Sequence, residues 1–225
     1  MATPATDIDT GGGAASAPSA PPPTTAPVRS APVDGRTARA QRTRDAIVEA
    51  CVTLVNAGDI RPTAPRIAEE AGVSVRSVFQ HFDDLETLFA LVSERALDGL
   101  AGLVRPIDVE RPLAERLDSF TEHRAELLEA VTPMRRAAAV HAPFSPTIQQ
   151  RVAAGHDFFR GQLATVFARE LEPLSADRRE QVLDMLDVAA SWSAWEVLRT
   201  LDGRSVVEAR AVLTSLLVVI LGVAS

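Results

Sequence analysis

A helix stop and a helix start stand almost back to back in the stretch Ala71-Gly72-Val73-Ser74. Glycine most readily takes the left-handed conformation just past a helix end. Serine is a favoured N-cap, because its hydroxyl accepts one of the N–H groups that the first helical turn leaves without a partner. With only Val73 between them, two helices must meet at a tight corner and pack against each other as a helix-turn-helix. Upstream, Thr63 is positioned to cap a short helix running to Ala71; downstream, the spacing predicts a helix over 75–81. Ala68, four residues before the glycine, is small enough to let two backbones approach, and Ile67, Ala71 and Val73 supply apolar contacts around the corner. After the corner, Ser74, Val78 and Phe82 form one stripe, expected to face inward, while Val75, Arg76, Phe79 and Gln80 form the other. An outward stripe of arginine, glutamine and two apolar side chains can hydrogen-bond base edges and touch a thymine methyl, as reading a DNA major groove requires.

The rest of the chain also reads as helical. Ile47, Ala50, Cys51, Leu54 and Val55 recur on one face of a helix that ends at Gly58. Asp83 or Asp84 can cap a fourth helix with Leu85, Leu88, Phe89 and Val92 on its inner face, and Pro106 and Pro112 bracket a break. Further helices are expected at about 112–130, 133–141, 146–171, 176–201 and 205–222, punctuated by Pro133, Pro146, Pro173 and the Asp202-Gly203 pair. No strand-like alternation of useful length occurs. The expected fold class is therefore all-α, with about nine helices. A three-helix helix-turn-helix domain occupies 36–82, and a fourth helix with a larger helical domain occupies 83–225. The closing block AVLTSLLVVILGVAS is shorter than the ~20 residues of a membrane span, so it reads as a buried helix or subunit interface, and no membrane partner is expected. Residues 1–35, mostly Ala, Pro, Thr, Ser and Gly, cannot bury enough apolar surface to offset their conformational entropy and are expected to be a disordered tail. That tail lacks the basic start and apolar block of a signal peptide. A sharper reading has Arg29 and Arg36 reaching into a minor groove.

Charge is spread unevenly. The chain carries a formal -7, but 36–82 carry +2 against -2 before and -7 after them, so a mildly basic segment rides on an acidic body. Such a body weakens non-specific attraction to DNA without forbidding a local contact. All 23 basic residues are arginine and tyrosine is absent, so any phosphate clamp must use arginine, a hydroxyl or a backbone N–H. A single cysteine, Cys51, excludes a disulfide framework and a thiolate metal cage and fits a reducing cytoplasm.

The stretch RTRDAIVEACVTLVNAG followed by TAPRIAEEAGVSVRSVFQHFDDLETLF resembles the N-terminal DNA-binding domain of TetR-family transcriptional regulators, over roughly residues 40–92. IAEEAGVSVRSVFQHF is the specific part; the flanking helices match in pattern. The resemblance implies a homodimer on a palindromic double-stranded DNA operator, with a C-terminal domain that takes a small-molecule effector and family habit favouring a repressor. By position it implies that Thr63 is a phosphate-binding cap and Arg66 a nearby backbone or base contact. Val75, Arg76 and Ser77 then meet DNA, with Phe79, Gln80 and His81 following. Two departures stand out. Phe79 replaces a usual tyrosine, and Leu85 replaces a usual lysine, so two phosphate anchors are missing. Each missing anchor should reduce the salt slope of log affinity by about 0.9. Arg39, Arg42 and Arg44 are the arginines available to take over.

In the C-terminal half, aromatic, Met and His side chains are numerous enough to wall an apolar cavity with a few polar tips. Phe120, His123, Phe144, His156, Phe159, Met185 and Trp192 are the candidates, pointing to an apolar or aromatic effector. The resemblance places a four-helix dimer interface on the last two helices, with Val182, Leu186, Ala189, Leu213, Leu217 and Ile220 as candidate contacts. No His pair has metal-binding spacing, and no nucleophile elbow, P-loop or dinucleotide fingerprint occurs, so no metal, cofactor or catalytic residue is expected. The competing reading is a helical small-molecule-binding protein or enzyme with a vestigial helix-turn-helix; an interaction scaffold is a third.

Overall fold

The computed structural model describes the backbone of residues 35–224, and their side chains except at 96–98, 100, 101, 223 and 224. The tail expected over 1–35, with Arg29, lies outside the described residues except for Gly35. The described chain consists of helices and their connections, with no strand among the described residues. In order the helices are α1 (Gly35–Asn56), α2 (Ala64–Glu70), α3 (Val75–His81), α4 (Leu85–Leu100), α5 (Leu113–His141), α6 (Pro146–Val166), α7 (Ala168–Leu171), α8 (Ala176–Ala189), α9 (Trp192–Glu196) and α10 (Val206–Ala224). None of them is long and apolar enough to cross a membrane.

The corner between α2 and α3 is built from backbone hydrogen bonds. The Val73 N–H donates to the Ala68 carbonyl at 2.9 Å and the Gly72 N–H to that of Glu69 at 3.1 Å. This pair of bonds closes a helix when the intervening residue is left-handed, and Gly72 has φ +65°. Ser74 then caps α3, its Oγ accepting from the Ser77 N–H at 3.1 Å. Here the structure differs from the expected inward stripe: Val78 and Phe82 are buried, but Ser74 is exposed, because its side chain turns back onto the helix start. Replacing Ser74 with alanine should lower stability by about 1 kcal/mol, measurable as a lower urea midpoint at unchanged m-value. Between the two candidate caps of α4, Asp84 makes the bond: its Oδ1 accepts from the Thr87 N–H at 2.7 Å, which holds the Asp84 carboxyl below its ordinary range.

One core gathers under these helices. Ile47, Cys51, Leu54 and Val55 of α1, Ile67 and Ala68 of α2, Val78 of α3, and Leu88, Phe89 and Val92 of α4 pack together. Met134, Ala137 and Ala138 of α5 and Ile148 of α6 belong to the same cluster. Burial pushes the Cys51 thiol up to about 12, with the Asp59 carboxylate adding to the effect, so the thiol is an inert core group. A second core joins Leu117 and Phe120 of α5 with Leu163 and Val166 of α6, Phe167, Leu171 of α7, Val182 and Leu186 of α8, and Leu213, Leu217 and Ile220 of α10. A buried arginine crosses its edge. Arg116 reaches Glu170 through both terminal nitrogens, at 2.9 and 2.5 Å, and the Val166 carbonyl at 2.5 Å, while its Nε–H donates to the Arg111 carbonyl at 2.9 Å.

Three expected boundaries move. α5 runs straight through Pro133, where a break was expected. The missing N–H removes one rung, but Leu127, Leu128 and Val131 before it and Met134, Ala137 and Ala138 after it are buried along one face, and that packing keeps both halves in one helix. The expected helix over 146–171 divides at Phe167, a buried side chain that leaves the helical conformation. The one over 176–201 turns at Ala190-Ser191, where Ser191 caps α9, and finishes in a π turn over Val197–Leu201.

Candidate nucleic-acid interface and ligand cavity

α3 presents a two-sided surface. Val78 is fully buried against the core, while Val75, Arg76, Phe79 and Gln80 are exposed, Phe79 to 52%. Phe79 is a large apolar ring without cover in the described chain, next to an arginine and a glutamine that can donate or accept hydrogen bonds. Ser77 and His81 are half-buried at the helix edges. Thr63 precedes α2 as its N-cap, and its hydroxyl makes no capping bond, so it is exposed and available to another acceptor or donor.

The end of α3 is pinned to α1 by Arg44. Its Nη1 donates to the His81 carbonyl at 2.6 Å, and its guanidinium lies 4.4 Å from the Phe82 ring centroid. A charged donor on the last carbonyl of a helix is favourable, and the planar group stacks on the ring at the same time. Arg44 is therefore a structural arginine here, while Arg39 and Arg42 lie exposed on α1. Arg66 pairs with Asp59 at 3.1 Å but keeps most of its side chain in solvent. Sequence reading gave Arg44 only a phosphate role. Its position four residues before Val48, on the edge of the apolar stripe of α1, was the available signal.

A cavity of about 190 Å³ opens between α4, α5, α6 and the α8–α9 corner. Leu128, Val131, Met134, Ala138, Ile148, Val152 and Phe159 give it apolar walls. Three of the expected lining residues, His156, Phe159 and Trp192, are on its wall. The other four are elsewhere. Phe120 is sealed in the second core and, with His123, borders a separate void of about 10 Å³. Phe144 is 81% exposed in the turn after α5, and Met185 is exposed on α8 at 40%. Polar tips on the cavity wall are already matched in part. His156 Nε2 and Asp187 Oδ2 are 2.6 Å apart, and the Trp192 Nε1–H donates to Thr132 Oγ1 at 3.1 Å. The cavity also holds three arginines that the aromatic pattern gave no reason to expect: Arg124, Arg135 and Arg151.

Five of the six expected interface residues are inside the protomer. Val182, Leu186, Leu213, Leu217 and Ile220 are buried in the second core, and Ala189 packs against it. The five buried side chains fasten α10 to α8 and α5 within the protomer. The outer face of α10 carries a different stripe: Val207, Ala211, Ser215, Val218, Val219 and Gly222 are all exposed, and all fall at helical spacing. Met185 and Val188 are exposed on α8.

No protein-family model matches the sequence, and no curated protein does. Solved structures do match in three dimensions. A transcriptional regulator from Rhodococcus sp. Rha1 superposes with a TM-score of 0.60 at 18% identity, over 81% of this chain and 96% of its own. A TetR-family transcriptional regulator from Streptomyces coelicolor gives 0.61 at 20% identity, over 82% of both chains. One from Mesorhizobium loti gives 0.57 at 20%, over 82% of this chain and 98% of its own. With the corner at Gly72, the order of helices and the two stacked cores, these likenesses identify the fold as that of the TetR-family transcriptional regulators.

Proposed function

We propose that the chain is a TetR-like, ligand-responsive transcriptional regulator, a repressor that binds a palindromic operator as a homodimer and is released by a small effector. Residues 36–82 read DNA, and 83–225 bind the effector and the second subunit. The observation that carries this is the outward face of α3, with Val75, Arg76, Phe79 and Gln80 uncovered on a helix locked in place by Arg44. A lone surface helix has no use for an uncovered phenylalanine beside a free arginine. A helix docked in a major groove uses both, one against thymine methyls and the other on guanine edges. Thr63, Arg66, Ser77 and His81 supply flanking backbone contacts.

Release requires a ligand that prefers a conformation in which the two recognition helices no longer fit grooves about 34–36 Å apart. The cavity is suitably placed to favour one. Met134, Ala138 and Ile148 line it and also belong to the core beneath α1 to α4, and Ser93 of α4 is on its wall. A coupling of ~1–3 kcal/mol through that shared packing changes DNA affinity about 5–150-fold.

Filter binding of the full chain to a palindromic duplex from its own upstream region tests the reading. Selective retention is expected, with a shallow salt slope, because Phe79 and Leu85 each remove about 0.9 from it. Arg76→Ala should weaken binding by about 1–3 kcal/mol and relax the preference at a single base position per half-site. If the variant keeps the full sequence preference, Arg76 is not the reader; if no duplex is retained selectively, the regulator reading fails.

A further inference from the structure

The cavity contains positive charge that the protein leaves unneutralised. Arg124 of α5 is 3% exposed, with its guanidinium 4.8 Å from the Phe120 ring and 4.7 Å from the Phe159 ring. Its Nη2 donates to Gln162 Oε1 at 3.0 Å and its Nη1 reaches the Ala190 carbonyl at 3.5 Å, but the buried Nε–H has no partner. Among the described residues no carboxylate forms an ion pair with it. Asp187, the acid on the cavity wall, is engaged by His156 at 2.6 Å and Arg160 at 3.7 Å. Arg135 follows three helical turns later on the same face of α5. It too forms no ion pair among the described residues, its Nε is buried without a partner, and its guanidinium lies 5.3 Å from the Trp192 ring. Arg151, the third arginine, is answered by Glu94 at 3.1 Å. Leu128 and Val131 fill the wall between the two unanswered cations.

A buried cation without a counter-ion is costly, and an unmade hydrogen bond beside it adds to the cost. Burial pushes Arg124 down to about 10, against the pull of Asp187, so it remains charged at neutral pH. Asp187 acts on Arg124 only without an ion-pair contact, and it is shared with His156 and Arg160, so the charge is incompletely compensated.

We propose that the effector is an organic anion, a carboxylate on a short apolar or aromatic body. The carboxylate meets the Arg124 guanidinium, and the body lies along Leu128, Val131 and Phe159. Guanidinium and carboxylate match as a planar fork, which makes arginine the residue suited to holding such a head group away from water. The volume suits one ring with a short chain, since an apolar cavity of ~150 Å³ accepts benzene. The inference rests on the regulator reading for what the ligand does, and not for whether it binds.

Calorimetric titration of the full chain, without DNA, with phenylpropionate, phenylpropionamide and phenylpropylamine separates head-group charge from shape. The acid should bind about tenfold or more tightly than the amide, because its hydrogen bonds are charge-assisted. The amine should bind least. In Arg124→Gln the acid's advantage over the amide should shrink to the small remainder that Arg135 supplies, with amide binding retained as the sign of an intact cavity. Should that variant not fold, Arg135→Gln tests the same field and should narrow the acid's advantage. Equal binding of acid and amide to the unaltered protein, preference for the amine, or no binding of the acid overturns the proposal. An undiminished preference for the acid in Arg124→Gln, or in Arg135→Gln if that variant has to serve instead, also overturns it. The two readings fail separately: acid binding by a protein that retains no duplex sinks the regulator and leaves the anion site standing, and duplex retention without acid binding does the reverse.

Discussion

A Val219→Asp chain is expected to elute as a folded monomer and to lose operator binding by orders of magnitude. Val219 is 61% exposed toward the C-terminal end of the outer stripe of α10, flanked by Val218 and Gly222 and one turn beyond Ser215. A two-fold interface uses the same patch on both subunits, so one substitution introduces two unpaired carboxylates. Mismatched charge of this kind costs several kcal/mol, and at about 4 kcal/mol the dimer dissociation constant rises roughly 10³-fold. On the proposed palindromic operator both half-sites must be occupied together, so DNA affinity falls with the dimer. The protomer should be untouched, since Leu213, Leu217 and Ile220 hold α10 from its other side. Light scattering together with a thermal melt checks this. A dimer of unchanged affinity would show that subunits meet elsewhere.

The second large effect concerns stability. Arg116→Ala should destabilise the fold by about 3–5 kcal/mol, the range for breaking a buried ion pair from one side. The Arg116 side chain is 3% exposed and that of Glu170 15%, so removal of the guanidinium leaves a carboxylate largely out of water and the Val166 carbonyl without its donor. An Arg116→Met, Glu170→Leu pair should recover much of the loss, because similar apolar volume replaces both charges at once. Urea unfolding of the three chains decides it. If the single variant loses no more than an exposed arginine would, about 1 kcal/mol or less, the pair is effectively solvated.

The sequence made the α2–α3 corner legible because its signals are local. A glycine at φ +65° and a serine cap act within a few residues, and no distant packing is needed to interpret them. α5 was misread for the opposite reason. Pro133 is a strong local breaker, yet the buried face running from Leu127 to Ala138 overrides it. The two stripes of α10 could not be assigned from the chain alone. A helix that is apolar nearly all round has no polar side to mark which face meets its own core. The aromatic pattern carries no hint of Arg124. Its clue was positional: it shares the inward stripe of α5 with Leu117, Phe120, Leu128 and Val131, where an arginine is out of place unless something answers it.

Three side chains serve two masters. Met134, Ala138 and Ile148 form part of the cavity wall and part of the floor under the helices that carry the exposed α3 face. Under the proposed function, selection for the size of the guest and selection for the grip of the reading head therefore act on the same positions. Such a regulator cannot exchange its guest by resculpting this wall without also resetting how tightly the unliganded protein holds its site.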